Sequence, residues 1–334
     1  MGSVFLSEDT VPSEYRTLND QLYNLGKDCF WDVSLYSKYE PDEKDVRRVK
    51  LNNQTIGFMI PILSVLSLEH DFSEDTFFRR AAFEAYSSLK RDENDKELDE
   101  RTYVLVCWSD GDERYSESIS LNFYRFGIYP RFPSLSECKD AGFESLPLKN
   151  IKVDKAYHIC NSQGYIKDLL FEHLPLENNY YARFMYIYQL FEMFMDILFY
   201  KEVDRYKGAG KSISTVRKKI SDISSARSLL ELLFRKANLG DFSLNMRQSV
   251  HDLLGSVNEK NYSDSGEVFS SDVIYDFRNM IVHNYYRFRD DDVLSTVVLE
   301  IESKAISLLL NSFKEEEMAL VRAVFEERYI RPST

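Results

Sequence analysis

The chain has little cysteine and no long apolar run, and each of these shortages argues against a class of protein. Its four cysteines, Cys29, Cys107, Cys138 and Cys160, are widely separated and form no Cys-x-x-Cys pair. Zinc sites and disulfide frameworks use closely spaced cysteines, so we interpret these four as reduced thiols in the core and expect no metal. No run of 18 apolar residues is present, which argues against a transmembrane helix. The N-terminus lacks the basic and apolar regions of a signal peptide, so we expect a cytoplasmic protein.

Positive charge is also in short supply, and the deficit is uneven. The formal net charge is −13, yet residues 175–334 carry 21 Lys and Arg against 24 Asp and Glu, so most of the acidity lies in the first half. Such a balance argues against non-specific wrapping of nucleic acid. The second half still contains a local basic cluster, which we interpret as a weak RNA-backbone contact or, alternatively, as a solvated helix face: Lys201, Arg205, Lys207, Lys211, Arg217, Lys218 and Lys219.

Apolar periodicity predicts two domains of different class. Residues 1–172 are predicted to form an α+β domain, with helices over 13–25 and 74–90, apolar runs over 30–36 and 55–66, and strands over 102–108 and 118–126. Asp110-Gly111-Asp112 is typical of a hairpin turn between the last two. Residues 173–334 are predicted to form an all-α bundle, with helices over 180–201, 212–237, 244–255, 271–289 and 293–328.

The segment most informative about function is Asp276-Phe277-Arg278-Asn279-Met280-Ile281-Val282-His283. No Pro or Gly interrupts residues 267–308, so the segment is predicted to be helical. Asn279 and His283 are then one turn apart on the same face, while Arg278 lies about 140° round the helix from His283. Its long side chain can still curl toward a shared anion. A cation, an amide and an imidazole in this arrangement could bind and cleave a phosphodiester.

This segment resembles the Arg-x(4–6)-His motif of the HEPN superfamily, in the variant in which Asn, Asp or His follows the Arg. The resemblance covers residues 173–334 and implies a HEPN-like helical ribonuclease domain that needs no cofactor. It also implies a homodimer with a composite active site and RNA as the partner. Similar proteins are antiviral abortive-infection effectors or toxins, so residues 1–172 would be a sensor or regulatory domain for a trigger ligand or protein.

The chemistry that the resemblance implies is metal-independent endoribonuclease cleavage. RNA supplies its own nucleophile, the 2′-hydroxyl, and the products carry a 2′,3′-cyclic phosphate and a 5′-hydroxyl. An imidazole exchanges protons near neutral pH, so His283 would move the proton. Arg278 would stabilise the charge on the phosphorane, and Asn279 would orient the imidazole or hydrogen-bond the phosphate.

Glu192 is the fourth candidate catalytic residue. Gln189, Glu192 and Asp196 form a polar stripe at spacings of three and four on the predicted 180–201 helix. HEPN proteins place a polar or acidic residue of an early helix against the motif helix, so the resemblance implies that Glu192 orients Arg278 or His283. An exposed stripe at the helix edge is the alternative.

Other interpretations of the motif stay open. Arg278 could pair with Asp272, Asp276 or Glu192, and His283 could be a histidine satisfied within the bundle. The domain could then be a non-catalytic HEPN-type module that binds a nucleotide or a protein, or a structural dimerisation bundle. Substitution of Arg278 and His283 distinguishes these from a nuclease.

Overall fold

The chain forms two compact units, Met1–Leu176 and Glu177–Thr334. A computed structural model describes residues 30–38, 45–65, 75–91, 101–109, 115–130, 144–154, 164–210, 212–240, 242, 246, 248–250, 253, 270–284 and 291–311. Within these ranges the first unit combines a sheet with helices, and the second is helical. The predicted layout, an α+β part followed by a helical part, is confirmed at this level. The predicted helix over 13–25 lies outside the described residues.

The first unit is built on a six-stranded sheet with the order β5-β1-β4-β3-β2-β6. Neighbouring strands are antiparallel except for the parallel pair β2 and β6. A two-residue turn joins β2 to β3, with Asn52 and Asn53 at φ 51° and 65°. Asparagine tolerates this left-handed backbone, which hairpin turns of this length require. The strands are β1 Phe30–Lys38, β2 Arg47–Leu51, β3 Gln54–Pro61, β4 Thr102–Ser109, β5 Ile128–Pro130 and β6 Asn150–Val153.

Strand β4 is apolar from Tyr103 to Trp108 because both faces of the sheet are covered. Val104 and Val106 pack in one core with the short helix α1 (Ile62–Val65) and with α2 (Thr76–Arg91). Leu105 and Cys107, which point to the opposite face, pack in a second core with helix α3 (Tyr115–Tyr124). A strand buried on both sides does not alternate apolar with polar residues. Cys107 is a buried free thiol, as predicted, whereas the other three cysteines lie outside the described residues.

The prediction of a strand over 118–126 is wrong, because these residues belong mainly to helix α3. Ile119, Leu121 and Phe123 alternate with polar residues, which is the pattern of a half-buried strand. In the helix, Ile119 and Phe123 pack on the sheet, while Leu121 and Tyr124 are buried as well. A helix buried on several sides loses its 3.6-residue signal. The predicted hairpin fails with it, since β4 is followed by a helix; residues 110–112 themselves lie outside the described residues.

A continuous helical segment ends the first unit. Helix α4 (Gly164–Asp168) continues as the π-helical turn Leu169–His173 and ends with Leu174–Leu176. Phe171 of the π-helical turn packs against Tyr124 of α3, with ring centroids 6.4 Å apart. This contact holds the segment against the sheet's second core.

The second unit contains helices α5 Tyr180–Gly208, α6 Ile213–Ile223, α7 Ala226–Ala237, α8 Ser270–Asn284 and α9 Asp291–Asn311. The predicted helix over 180–201 is confirmed and runs further, to Gly208. The predicted helix over 212–237 is instead two helices, because the Ser225 hydroxyl accepts from the Ser228 amide at 3.1 Å and starts α7. Residues 285–289 and 312–328, and most of 244–255, lie outside the described residues.

Among the helices that the structure describes in the second unit, α5 contacts each of the other four and is their centre. The Asn179 side chain caps it, accepting from the amides of Tyr181 and Ala182. Phe184 of α5 meets Phe277 of α8 edge to face, with ring centroids 4.8 Å apart. The motif helix α8 is therefore held against α5 along its apolar side.

Candidate functional site

Helix α8 presents one apolar and one polar side, and this division places the motif residues. Its apolar side is buried in the unit: Val273, Ile274, Phe277, Met280 and Ile281. The remaining side carries Asp272, Asp276, Asn279 and His283 at spacings of four, three and four, which aligns them in one row. Arg278 lies at the opposite edge of the apolar side. The candidate site is therefore the polar surface of α8 together with the part of α5 that borders Arg278.

Arg278 is half-buried and is held by two neighbours. Its Nη1 donates to Oδ1 of Asn279 at 3.1 Å, so adjacent residues of the motif form a hydrogen-bonded pair. Its guanidinium carbon lies 5.7 Å from the ring centre of Tyr188 on α5, within the range of a cation–π contact. Tyr188 is only 2% exposed. The guanidinium is thus held at the boundary between the bundle and solvent.

Tyr188 and Glu192 of α5 both respond electrostatically to Arg278. Burial, followed by the nearby Glu192 carboxylate, raises the pKa of the Tyr188 hydroxyl to about 12, against the lowering effect of Arg278. Tyr188 therefore stays neutral at physiological pH and supports the cation as an uncharged ring. Burial raises the pKa of Glu192, and Asp196 adds to this, while Arg278 lowers it. The Glu192 side chain as a whole is exposed, and burial of its carboxyl group enters only as the main cause of this raised pKa.

Glu192→Gln should stabilise the protein slightly at neutral pH. The pKa of Glu192 is raised in the folded state, so its ionisation costs stability above that pKa, and the cost vanishes below the ordinary glutamate pKa. We expect a gain of about 0.5 kcal/mol or less at pH 7 that disappears near pH 3, measured by urea unfolding. Glu231→Gln, at an exposed carboxylate of α7, is the matched control. A loss of stability at pH 7 would mean that attraction to Arg278 outweighs burial.

His283 lies in the last turn of α8 and is exposed. It is one turn from Asn279 on the same row, whereas Arg278 lies about 7.5 Å away along the helix axis and about 140° round it. The imidazole is available to solvent, so the interpretation as a histidine satisfied inside the bundle is wrong. Val282 beside it is 41% exposed. Arg278 contacts Asn279 and is close enough to Glu192 to lower its pKa. His283 is exposed in the last turn of the same helix.

Arg227 of α7 is a residue at this surface that sequence reasoning missed. Its Nη1 lies 2.8 Å from Oδ1 of Asp272, and its Nη2 binds Oδ1 of Asp276. Its guanidinium carbon also lies 4.8 Å from the ring centre of Tyr275, between the two aspartates. Asp272 and Asp276 therefore bind Arg227, although the sequence left open that they pair with Arg278. The two aspartates, one turn apart on a helix, were the signal that a cation faces them.

The basic residues proposed to contact RNA are exposed on helix α6. Arg217, Lys218 and Lys219 all face solvent, and Lys211 lies outside the described residues. Helix α6 has no buried residue, and Ile213 at its start is 87% exposed. It packs against α5 and α7. Solvation of a helix face explains the arrangement, and RNA contact is not required by it.

Comparisons with known proteins place no relative beside this chain: no family model, no curated protein and no solved structure matches it. Within the described ranges, no group of three or more His, Cys, Asp or Glu side chains is arranged to hold a metal ion. Nor is any helix in the described part of the chain long and apolar enough to cross a membrane. The chemistry of α8 and its neighbours is therefore the basis on which a function can be proposed.

Proposed function

We propose that the protein is a metal-independent endoribonuclease with a HEPN-like C-terminal domain. The observation that carries the proposal is the hydrogen-bonded pair Arg278 and Asn279, held beside Tyr188 and Glu192 on a helix whose open end exposes His283. A guanidinium fixed at the protein surface is suited to bind phosphate oxygens. An exposed imidazole one turn from an amide is suited to exchange a proton with a substrate.

In the proposed reaction the RNA 2′-oxygen attacks the adjacent phosphorus. His283 accepts the 2′-hydroxyl proton, the P–O bond to the 5′-oxygen breaks, and that oxygen takes a proton as it leaves. Arg278 stabilises the additional negative charge on the phosphorane oxygens, and Asn279 holds Arg278 or the phosphate in register. The products are a 2′,3′-cyclic phosphate and a 5′-hydroxyl.

A single histidine cannot remove one proton and deliver another at the same moment, so a second acid is needed. A homodimer supplies it if a second His283 faces the first across a two-fold axis. The exposed Val282 next to His283 gives this end of α8 an apolar residue for such a contact. We therefore propose a composite site made by two copies of α8.

Control by the N-terminal unit is the remaining part of the proposal. That unit contains a cleft of about 210 Å³, whose lining residues are Ser34, Leu35, Tyr36, Ser116, Ser120, Pro130, Lys167 and Phe171. Serine hydroxyls, one ammonium and aromatic walls suit a small trigger ligand with a polar end. An antiviral, abortive-infection or toxin effector would remain inactive until such a trigger binds.

The function is tested by incubating wild type, His283→Ala and His173→Ala with total cellular RNA in EDTA. His173 is an exposed histidine of the N-terminal unit and is a matched control. We expect cleavage by wild type and His173→Ala, and a rate about 10²–10⁴-fold lower for His283→Ala. Equal cleavage by all three proteins would exclude His283 from the chemistry.

The separation of His283 from Arg278 around the helix favours one rival function. A non-catalytic HEPN-type module would use the same surface to bind a nucleotide or a protein without needing both side chains on one phosphate. Where the ligand is a nucleotide, that rival predicts that the wild type binds an RNA oligonucleotide and does not cleave it under any salt condition. Loss of binding in Arg278→Ala would then identify the surface.

A further inference from the structure

We infer that Arg227 is a positioning residue of the proposed RNA site, which keeps the carboxylates of Asp272 and Asp276 from repelling the phosphate that approaches Asn279 and His283. This inference rests on the proposed function. Arg227 belongs to a different helix, α7, and would contact no reacting atom. It would act through the charges of Asp272 and Asp276 on α8.

Four residues of α8 form one row along the helix. Asp272, Asp276, Asn279 and His283 share one side of the helix, so the two carboxylates lie on the same surface as the amide and the imidazole. Asp276 is about 4.5 Å from Asn279 and about 10 Å from His283 along the axis. Asp272 is about 10.5 Å from Asn279, and these separations are comparable to the Debye length of about 10 Å at 0.1 M salt. Two free carboxylates there would oppose an RNA phosphate.

Arg227 contacts both aspartates of this row. Two nitrogens of its guanidinium bind the two aspartates separately, and its guanidinium carbon lies 4.8 Å from the ring centre of Tyr275. The aspartate side chains are 27% and 21% exposed, so water screens them only in part. With Arg227 in place, one net negative charge remains on this part of the row where two would otherwise stand.

Arg227 can be distinguished from a residue that only attaches α7 to α8. The Arg227 side chain is 46% exposed, and ion pairs at such exposure contribute little to stability. Its removal should therefore affect the binding of an anionic substrate more than the fold. The aspartates can also be neutralised without removing Arg227, because an asparagine oxygen still accepts from the guanidinium.

The experiment compares Arg227→Ala, Asp272→Asn/Asp276→Asn, and the triple variant that combines them, in cleavage of one oligoribonucleotide in EDTA. At about 50 mM salt, Arg227→Ala should raise KM about tenfold and change kcat less, and the defect should shrink at about 200 mM salt. The triple variant, which has no charge left at these three positions, should have a KM at or below the wild-type value. The double variant, which keeps Arg227, should bind the substrate more tightly than wild type.

A purely structural Arg227 gives a different pattern. The triple variant would then stay as defective as Arg227→Ala, because α7 and α8 remain disconnected, and that result overturns the inference. If Arg227→Ala does not fold, the double variant decides: a KM no lower than that of wild type also overturns it. A wild type that binds the oligoribonucleotide without cleaving it refutes the nuclease, and the same order of Kd values among the variants would still support Arg227. A wild type that neither binds nor cleaves refutes both.

Discussion

Arg278→Ala is expected to reduce RNA cleavage about 10²–10³-fold, the loss typical when one preorganised donor to a developing oxyanion is removed. The substitution removes the only cation that the described contacts place beside both Asn279 and Glu192. Phosphorane charge would then be left without its fixed partner, and the Glu192 carboxylate would remain to repel the substrate. The measurement is kcat for a defined oligoribonucleotide, with thermal unfolding of the same samples.

Two variants make this result specific. Arg278→Lys keeps the charge but loses the planar fork, so its kcat should lie between those of wild type and Arg278→Ala. Arg235→Ala, at an exposed arginine of α7, should cleave like wild type. An Arg278→Ala protein with wild-type kcat would show that Arg278 only packs against Tyr188.

Glu302→Ala is expected to destabilise the protein by about 3–5 kcal/mol, because it removes the carboxylate that balances the charge of the buried Arg183 guanidinium. In the folded chain the Arg183 Nε and Nη2 donate to the two carboxylate oxygens of Glu302 at 2.7 and 2.8 Å. The side chains are 4% and 1% exposed. This pair joins α5 to α9, so urea unfolding of the full chain should report its loss as an earlier transition.

The matched comparison is Arg183→Met/Glu302→Leu, which removes both charges. Replacing a buried ion pair with apolar residues of similar size is often neutral or stabilising, so the double variant should be more stable than Glu302→Ala alone. A Glu302→Ala protein within about 1 kcal/mol of wild type would mean that water reaches Arg183 and replaces the carboxylate.

The elements that sequence predicted well are those whose pattern depends on few neighbours. Strand β4 is a short run that is apolar from Tyr103 to Trp108, and α5 is a long apolar and aromatic segment, so both were found. Residues 118–126 failed because a helix covered on several sides imitates strand alternation. The β2–β3 hairpin was missed although Asn52-Asn53 carried a turn signal.

Some features of the candidate site could likewise be predicted from the sequence, and others could not. Helical spacing alone places Asn279 one turn from His283, whereas the hydrogen bond between Arg278 and Asn279 was not predicted, because adjacent residues of a helix point about 100° apart. Arg227 could not be identified, because it meets Asp272 and Asp276 across 45 and 49 residues of chain. Periodicity shows which side of a helix is polar, but it does not show which other helix packs against that side.

The proposed cleavage uses the RNA's own 2′-hydroxyl as the nucleophile, and one substitution in the substrate removes that hydroxyl. Wild type is given an oligoribonucleotide and the same molecule with a single 2′-deoxy residue on the 5′ side of the cleaved bond, both in EDTA, and the new ends are identified. We predict that the all-ribose strand yields a 2′,3′-cyclic phosphate and a 5′-hydroxyl, while the deoxy position is not cleaved. Cleavage at the deoxy position, leaving a 5′-phosphate, would show that the 2′-hydroxyl is not the nucleophile and would refute the proposed reaction.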